Sequence, residues 1–230
     1  MLSSLIRRCV RALLWFAAGS IVLVLVLRWV PPPGTALMVE RKVQSWFSGE
    51  PIDLQRDWQP WQGISDDLKV AVIAGEDQKF ASHWGFDIPA IQAAFAHNER
   101  GGNIRGASTL TQQVAKNLFL WPGRSVVRKG LEIPLAMWID LVLSKARILE
   151  IYLNIAEMGP SGQFGAEAGA KFAFNRSATN LSARDAALLA AVLPNPVTRS
   201  AKTPGPGVRR LAATYQARAQ AAELQKCWGG

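Results

Sequence analysis

From Ala12 to Leu27 the chain reads ALLWFAAGSIVLVLVL and carries no charge. A run this apolar has to be buried, in lipid or in a protein core. Arg11 and Arg28 bound it and Trp29 follows, which suits a single bilayer crossing in which the arginines snorkel and the indole sits at the interface. The run is somewhat shorter than the roughly 20 residues that cross comfortably, a mismatch that flanking residues absorb. Arg7, Arg8 and Arg11 precede it, so the positive-inside rule keeps the N-terminus in the cytoplasm and exports everything after Arg28. Leu27-Arg28-Trp29 offers no small-x-small cleavage site, which favours a retained anchor over a signal peptide. Pro31-Pro32-Pro33-Gly34 then breaks the helix and forms a stiff exit from the membrane.

A chain of 230 residues with one crossing has room for one further domain. The expected organisation is a cytoplasmic N-terminus over 1–11, an anchor over 12–30, a linker over 31–45 and an exported domain over 46–230. With 26 Lys+Arg against 17 Asp+Glu and a net charge of +9, the partner is expected to be anionic: phospholipid head groups, a phosphorylated substrate or nucleic acid. Export argues against nucleic acid. Cys9 and Cys227 lie on opposite sides of the span, which argues against a disulfide or a metal site between them.

Beyond Leu68 the apolar residues recur mostly at helical spacing, and no sustained two-residue alternation appears, so the body reads as all-α. Asp87 is placed to cap IPAIQAAFAHN, and Gly101-Gly102 closes that segment. Ser108 or Thr109 caps LTQQVAKNLFL, which stops at Trp121-Pro122-Gly123. Pro134 is expected to kink or divide the run from Val126 to Leu143. Ser144 caps KARILEIYLN, and Ser182 with Asp185 forms a capping box before AALLAAVLP, expected to be buried. A last helix over about Val208 to Lys226 puts Val208, Leu211 and Tyr215 on one face.

Four polar clusters interrupt this pattern. In the first, Glu76 and Asp77 end an apolar helix and lead into KFASHWG. A carboxylate at a helix C-terminus among apolar neighbours is held towards its neutral form, the state of a group suited to proton transfer. Glu76 is therefore the candidate base, although a solvated helix end reads the same way, and His83 is as well suited to pinning a turn. In the second cluster, GASTLTQQVAKN, short uncharged side chains at a helix start suit sugar hydroxyls and amides, and Lys116 lies one turn beyond Gln112. A capped helix with a polar stripe is the alternative. The third cluster gathers Arg124, Arg128 and Lys129 around Glu132, with Arg128 and Glu132 one helical turn apart. The surplus of cations suits a diphosphate, while an ordinary surface ion pair would look no different. The fourth, KARILEIYLN, reads mainly as core, with Glu150 and Asn154 able to support a site from behind.

In this order, EDQKFASHWG, GASTLTQQVAKN, RKGLE and KARILEIYLN resemble the signatures of the glycosyltransferase domain of bacterial peptidoglycan polymerases, glycosyltransferase family 51. The resemblance runs from about Leu68 to Pro196. The chain has no transpeptidase motif set, since Lys202-Thr203-Pro204 is not a Lys-Thr-Gly, and so it is similar to the monofunctional members. The resemblance implies a lysozyme-like helical fold at the membrane surface that binds lipid II and the nascent glycan. It implies Glu76 as general base and Glu132 as a second acidic residue. Lys116, Arg124, Arg128 and Lys129 would meet the departing diphosphate. Ser108, Gln112 and Gln113 match positions in the cleft, and Asp77, Phe80 and His83 match ones that shape the first motif. No cofactor follows from it with certainty; a divalent cation, Mg or Mn, near the diphosphate stays open. Phe172-Ala173-Phe174-Asn175-Arg176 departs from the expected Tyr-Phe-Gly-Lys-like turn.

Leu118, Phe119, Leu120 and Trp121 suit either a flap resting on the bilayer or ordinary core contacts. The partners expected are lipid II, the growing glycan, membrane lipids and other wall-synthesis or division proteins, at the outer face of the cytoplasmic membrane. Two other readings share these residues. A membrane-bound muramidase or lytic transglycosylase would use a protonated Glu76 to cut glycan, yet it has no need of a diphosphate site. A non-enzymatic scaffold would use only the anchor and the basic surface.

Overall fold

The anchor is one continuous helix, α1 (Leu2–Leu27), in a computed structural model that describes residues 2–101, 106–121, 123 and 125–220. The stretch apolar enough to cross a bilayer is Ile6–Leu27, 22 residues, or about 33 Å of helix against a hydrocarbon core of about 30 Å. The helix thus extends past Arg11 towards the N-terminus. Cys227 lies outside the described residues, as does the side chain of Cys9.

The far end of α1 is joined to the body. Val24 and Leu27 are fully buried in the main core. Arg147 Nε donates to Leu27 O at 2.8 Å, Trp138 Nε1 donates to Ile21 O at 3.5 Å, and Arg56 Nη2 donates to Pro32 O at 2.6 Å. Carbonyls at a helix C-terminus lack partners within the helix and favour cations. A guanidinium on Leu27 O meets both needs. Trp58 lies between Arg56 and Arg147, with its ring centroid 5.3 and 5.5 Å from their Cζ atoms.

Where a linker over 31–45 was expected, the chain forms α2 (Ala36–Ser48), capped by Thr35, whose side chain accepts from Met38 N at 3.1 Å. Its buried residues are Met38 and Ser45, while Val39, Val43, Trp46 and Phe47 are exposed. The stripe that covers the body is therefore short and partly polar, which is why hydrophobic spacing did not disclose it. A short strand β1 (Gln55–Arg56) pairs in parallel with β2 (Gln163–Phe164).

The core is built around α3 (Asp66–Glu76), in which every residue from Leu68 to Ala74 is buried. Ser65 caps it, accepting from Leu68 N. The helices α9 (Ala183–Ala190) and α10 (Pro206–Ala219) pack against it. The capping box of Ser182 and Asp185 forms as expected, and Ala186 to Ala190 are buried. Small side chains let helix axes approach closely, so Gly75 admits the ring of Tyr215; a methyl group there would lie well inside contact distance of Tyr215 Cε2. On the other side, α5 (Leu110–Phe119) is surrounded by α2, α6 (Val126–Val142) and α7 (Lys145–Ile155). α4 (Ile88–Glu99) is capped by Asp87, whose side chain accepts from Ala90 N at 2.9 Å. α8 (Gly165–Phe174) ends at Asn175 in the left-handed region.

Pro134 does not divide its run: α6 continues across it. Proline removes one N–H and crowds the carbonyl four residues earlier; that residue is Gly130, which has no side chain to add to the crowding. Pro134 also faces outward, beside Ile133, Met137 and Leu141. These residues form an exposed apolar surface together with Val126 and Val127, and further apolar residues on α4 (Ile88, Phe95) are exposed as well. Leu118 and Leu120 are buried and Phe119 packs on the core, leaving only Trp121 of that group exposed. Of the two readings open for Leu118–Trp121, the core contact holds for Leu118, Phe119 and Leu120, and Trp121 stays exposed.

Candidate active site

Glu76 is the last residue of α3 and opens onto a cavity of about 540 Å³ walled by Asp77, Lys79, Asp87, Ala90, Ser108 and Arg218, among others. Gln113 Nε2 donates to Glu76 Oε2 at 2.8 Å. Burial is the main influence and raises the pKa of Glu76 above the ordinary carboxylate value; the Gln113 hydrogen bond and the charges of Lys116 and Arg199 partly offset it. A carboxylate that stays accessible from a cavity while its charge is disfavoured has a strong tendency to accept a proton.

Asp77 stands on the same cavity wall but is engaged from behind. Its carboxylate is buried, accepts from Leu110 N at 3.0 Å, and lies 2.9 Å through each oxygen from His83 Nε2. Leu110 is the first residue of α5, so Asp77 holds the start of that helix against the end of α3. Phe80 is buried, with Lys145 Nζ 4.9 Å from its ring centroid. Lys145 Nζ also donates to His83 O at 2.7 Å and pairs with Asp140 at 2.5 Å. These contacts place Asp77, Phe80 and His83 in the frame behind the cavity.

The second motif divides its labour. Thr109, not Ser108, caps α5. Its side chain accepts from Gln112 N, while Gln112 Oε1 accepts from Thr109 N at 3.0 Å. Gln112 is thereby buried in the capping box. Gln113, next along the helix, faces Glu76 instead. Ser108 is exposed and accepts from Lys129 Nζ at 3.3 Å. Ala107 and Ser108 line both the Glu76 cavity and a smaller hollow of about 210 Å³ that includes Lys129. The cleft is thus two hollows that share the wall of Ala107 and Ser108, with Glu76 lining one and Lys129 the other.

At its far end Glu132 is buried on α6, paired with Arg128 at 2.8 Å and in direct contact with Lys129. Ser125 caps this helix, accepting from Arg128 N. Lys116 lies between the two ends. Burial, followed by the charge of Arg128, lowers its pKa from the ordinary lysine value, while Glu132, Glu76 and Glu40 oppose that effect. Arg124 lies outside the described residues. A divalent cation would need several oxygen ligands. Among the described residues no three His, Cys, Asp or Glu side chains converge, and both oxygens of Glu132 already face cations. The donor set does not fit a protein-built metal site.

Tyr152, Tyr215, Glu40 and Arg41 were not legible as site residues, whereas Glu150 and Asn154 were expected to support the site from behind. Tyr152 Oη donates to Gln113 Oε1 at 3.0 Å. Burial, with the charge of Glu76, pushes the pKa of Tyr215 up to about 12. Glu40 on α2 acts on Lys116, and its neighbour Arg41 pairs with Glu157 at 2.6 Å. Asn154 holds the loop before α3: it accepts from Gln59 N at 2.7 Å and donates to Gln59 O at 2.9 Å. Glu150 pairs with Arg147 at 2.9 Å. Nothing in local spacing links Tyr152 to Gln113, Glu40 to Lys116 or Arg41 to Glu157.

Residues 42–221 match the sequence profile of the transglycosylase family. The chain is 76% identical over 204 residues to the biosynthetic peptidoglycan transglycosylase of Pseudomonas putida (strain W619), covering 89% of this chain and 86% of that protein. It is 68% identical over 212 residues to the protein of the same name from Pseudomonas syringae pv. syringae (strain B728a), covering 92% and 89% respectively. A carboxylate at one end of a cleft, cations at the other and a match across most of the length lead to one conclusion: the chain belongs to the transglycosylase family.

Proposed function

We propose that this chain is a membrane-anchored peptidoglycan glycosyltransferase that polymerises lipid II into glycan strands. One observation carries this reading. Ser108 stands on the wall of the cavity at Glu76 and accepts from Lys129 Nζ at 3.3 Å, so a proton acceptor and a cationic pocket lie on two sides of one residue.

In this reading the 4-hydroxyl of the acceptor GlcNAc enters the cavity at Glu76, which takes its proton as the oxygen attacks C1 of the donor MurNAc. The bond from C1 to the diphosphate breaks on the opposite face, inverting the anomeric centre and releasing undecaprenyl diphosphate. Lys116, Arg128 and Lys129 neutralise the charge that grows on the leaving group. Buried Glu132 holds Arg128 and Lys129 in place, and three cations around it leave a positive surplus. The exposed apolar surface of α4 and α6 rests on the bilayer, where the lipid chains of both substrates lie. Arg7, Arg8 and Arg11 keep the N-terminus inside and the catalytic body outside.

The test uses the full chain in lipid nanodiscs with purified lipid II. Glycan polymer and free undecaprenyl diphosphate are expected, and neither from the folded Glu76→Gln variant. Cleavage of preformed glycan without polymerisation would favour a lytic enzyme instead. A C-terminal reporter active only after export checks the orientation.

A further inference from the structure

Glu76 is held by a side chain that is itself held by another. Gln113 Nε2 donates to Glu76 Oε2 at 2.8 Å, and Tyr152 Oη donates to Gln113 Oε1 at 3.0 Å. A primary amide has a donor end and an acceptor end of nearly the same shape, so sterics alone do not fix which end faces a neighbour. Tyr152 supplies what sterics lack. It is a buried residue of α7, and burial together with the charge of Glu76 pushes its pKa well above the ordinary tyrosine value, so its hydroxyl keeps its proton. That proton needs an acceptor. If the amide were reversed, two oxygens would face each other at Glu76 and the proton of the buried hydroxyl would lose its acceptor, both unfavourable.

We infer that Tyr152 is a positioning residue: through Gln113 it fixes the amide so that a donor, and not an acceptor, faces the Glu76 carboxylate. The inference rests on the reading of Glu76 as the base, because its consequence is a carboxylate kept ionised and aimed in a pocket that otherwise favours protonation. The other charged or titratable groups around Glu76 are Asp77 on the adjoining turn, Lys116 on α5, Arg199 beyond α9 and Tyr215 on α10. Lys79, Asp87 and Arg218 stand on the cavity walls. Lys116 and Arg199 favour the ionised carboxylate and Asp77 opposes it. Among the described residues, Gln113 is the group found donating a hydrogen bond to Glu76.

The experiment compares the full chain with Tyr152→Phe, Gln113→Met and the double variant, all in nanodiscs. Glutamate side chains labelled with 13C are titrated by NMR, the Glu76 signal being identified by its loss in Glu76→Gln, and polymerisation rates are measured over the same pH range. Tyr152→Phe should move the Glu76 midpoint upward by about one pH unit, the scale of a lost hydrogen bond to a charged group. The acid limb of kcat should follow, with KM for lipid II unchanged. Gln113→Met should move the midpoint at least as far, and the double variant should match Gln113→Met alone, because Tyr152 acts through Gln113. An unmoved midpoint in Tyr152→Phe, or additive shifts in the double variant, overturns the inference. If Tyr152→Phe loses its fold, the Gln113→Met titration decides, and an unmoved midpoint there overturns it. A moved midpoint without a moved acid limb upholds the positioning and sinks the assignment of Glu76 as base.

Discussion

The carboxylate of Asp77 accepts the backbone N–H of Leu110 at 3.0 Å, so a residue just past the end of one helix caps the start of another. The same carboxylate holds His83 Nε2 at 2.9 Å. Two elements that carry Glu76 and Gln113 are thereby locked in register, and the hydrogen bond between those two side chains depends on that lock.

Replacing Asp77 by Ala should accordingly destabilise the protein by about 2–4 kcal/mol, combining a lost cap with buried groups left unpaired. Denaturant titration in micelles measures this. In the molecules that remain folded kcat should also fall, because the Glu76–Gln113 hydrogen bond loses its lock, while KM for lipid II changes little. A large rise in KM at full stability would mean that Asp77 contacts substrate.

Glu76→Gln should be more stable than the parent at neutral pH while losing polymerisation by at least about 10²-fold. Folding raises the pKa of Glu76, so the unfolded chain ionises first, and the cost of burying the charge appears as pH rises above the ordinary carboxylate value. Below that value the carboxyl is protonated in both states and the cost vanishes. The stability advantage of the Gln variant should therefore shrink to nothing as pH falls through the carboxylate range. Thermal melts across pH check this, at about 2–4 °C for each kcal/mol regained. An advantage that grew towards acid pH would contradict the burial of this group.

At the other end of the cleft, Lys129 and Arg128 should separate. The Lys129 side chain is 44% exposed and that of Arg128 only 12%. Lys129→Ala should lower the melting temperature less than Arg128→Ala, because solvent can reach the place its exposed side chain leaves at Glu132, and should lower kcat by about 10²-fold, the usual scale for one preorganised charge partner. Arg128→Ala should lower both, because it also leaves Glu132 buried with one partner fewer. Single-turnover release of undecaprenyl diphosphate distinguishes a slowed chemical step from weakened binding.

Arg147→Ala should loosen the anchor from the body. The variant loses the hydrogen bond to Leu27 O, the pair with Glu150 and the contact with Trp58. A destabilisation of about 1–3 kcal/mol is expected, with Trp58 fluorescence shifting to the red as the ring meets water. Proteolysis should then cut near Pro31–Gly34 faster than in the parent. An unchanged cutting rate would show that the anchor is tied elsewhere.

Much of this architecture was legible before any coordinates. Asp87, Ser144 and Ser182 cap the helices they were expected to cap, because a cap needs only a side-chain oxygen within reach of an N–H two or three residues on. The apolar anchor was equally plain. Failures occurred where a neighbour outside the window decided the outcome. Pro134 leaves α6 whole because it faces outward and follows Gly130 at the crowded position. Leu118 and Leu120, left open between flap and core, are core. α2 was read as linker because its outward face is as apolar as its inward one.

The site divides in the same way. Glu76, Lys116, Arg128, Lys129 and Glu132 were singled out by residue type and helical spacing, both fixed within a few residues of chain. Their chemistry needed distances that no spacing contains. Gln113 and Gln112 are adjacent and chemically identical; packing alone turns one into a capping box and the other onto Glu76. Tyr152, 39 residues from Gln113, completes the chain of hydrogen bonds. The sequence by itself determined most of the segments that become helices, which one is long and apolar enough to cross a membrane and where charge accumulates, because these follow from hydropathy and local hydrogen bonding. Only the tertiary structure decided which way each polar side chain faces and how strongly its charge is resisted, because burial and dipole direction arise from elements brought together across the whole chain.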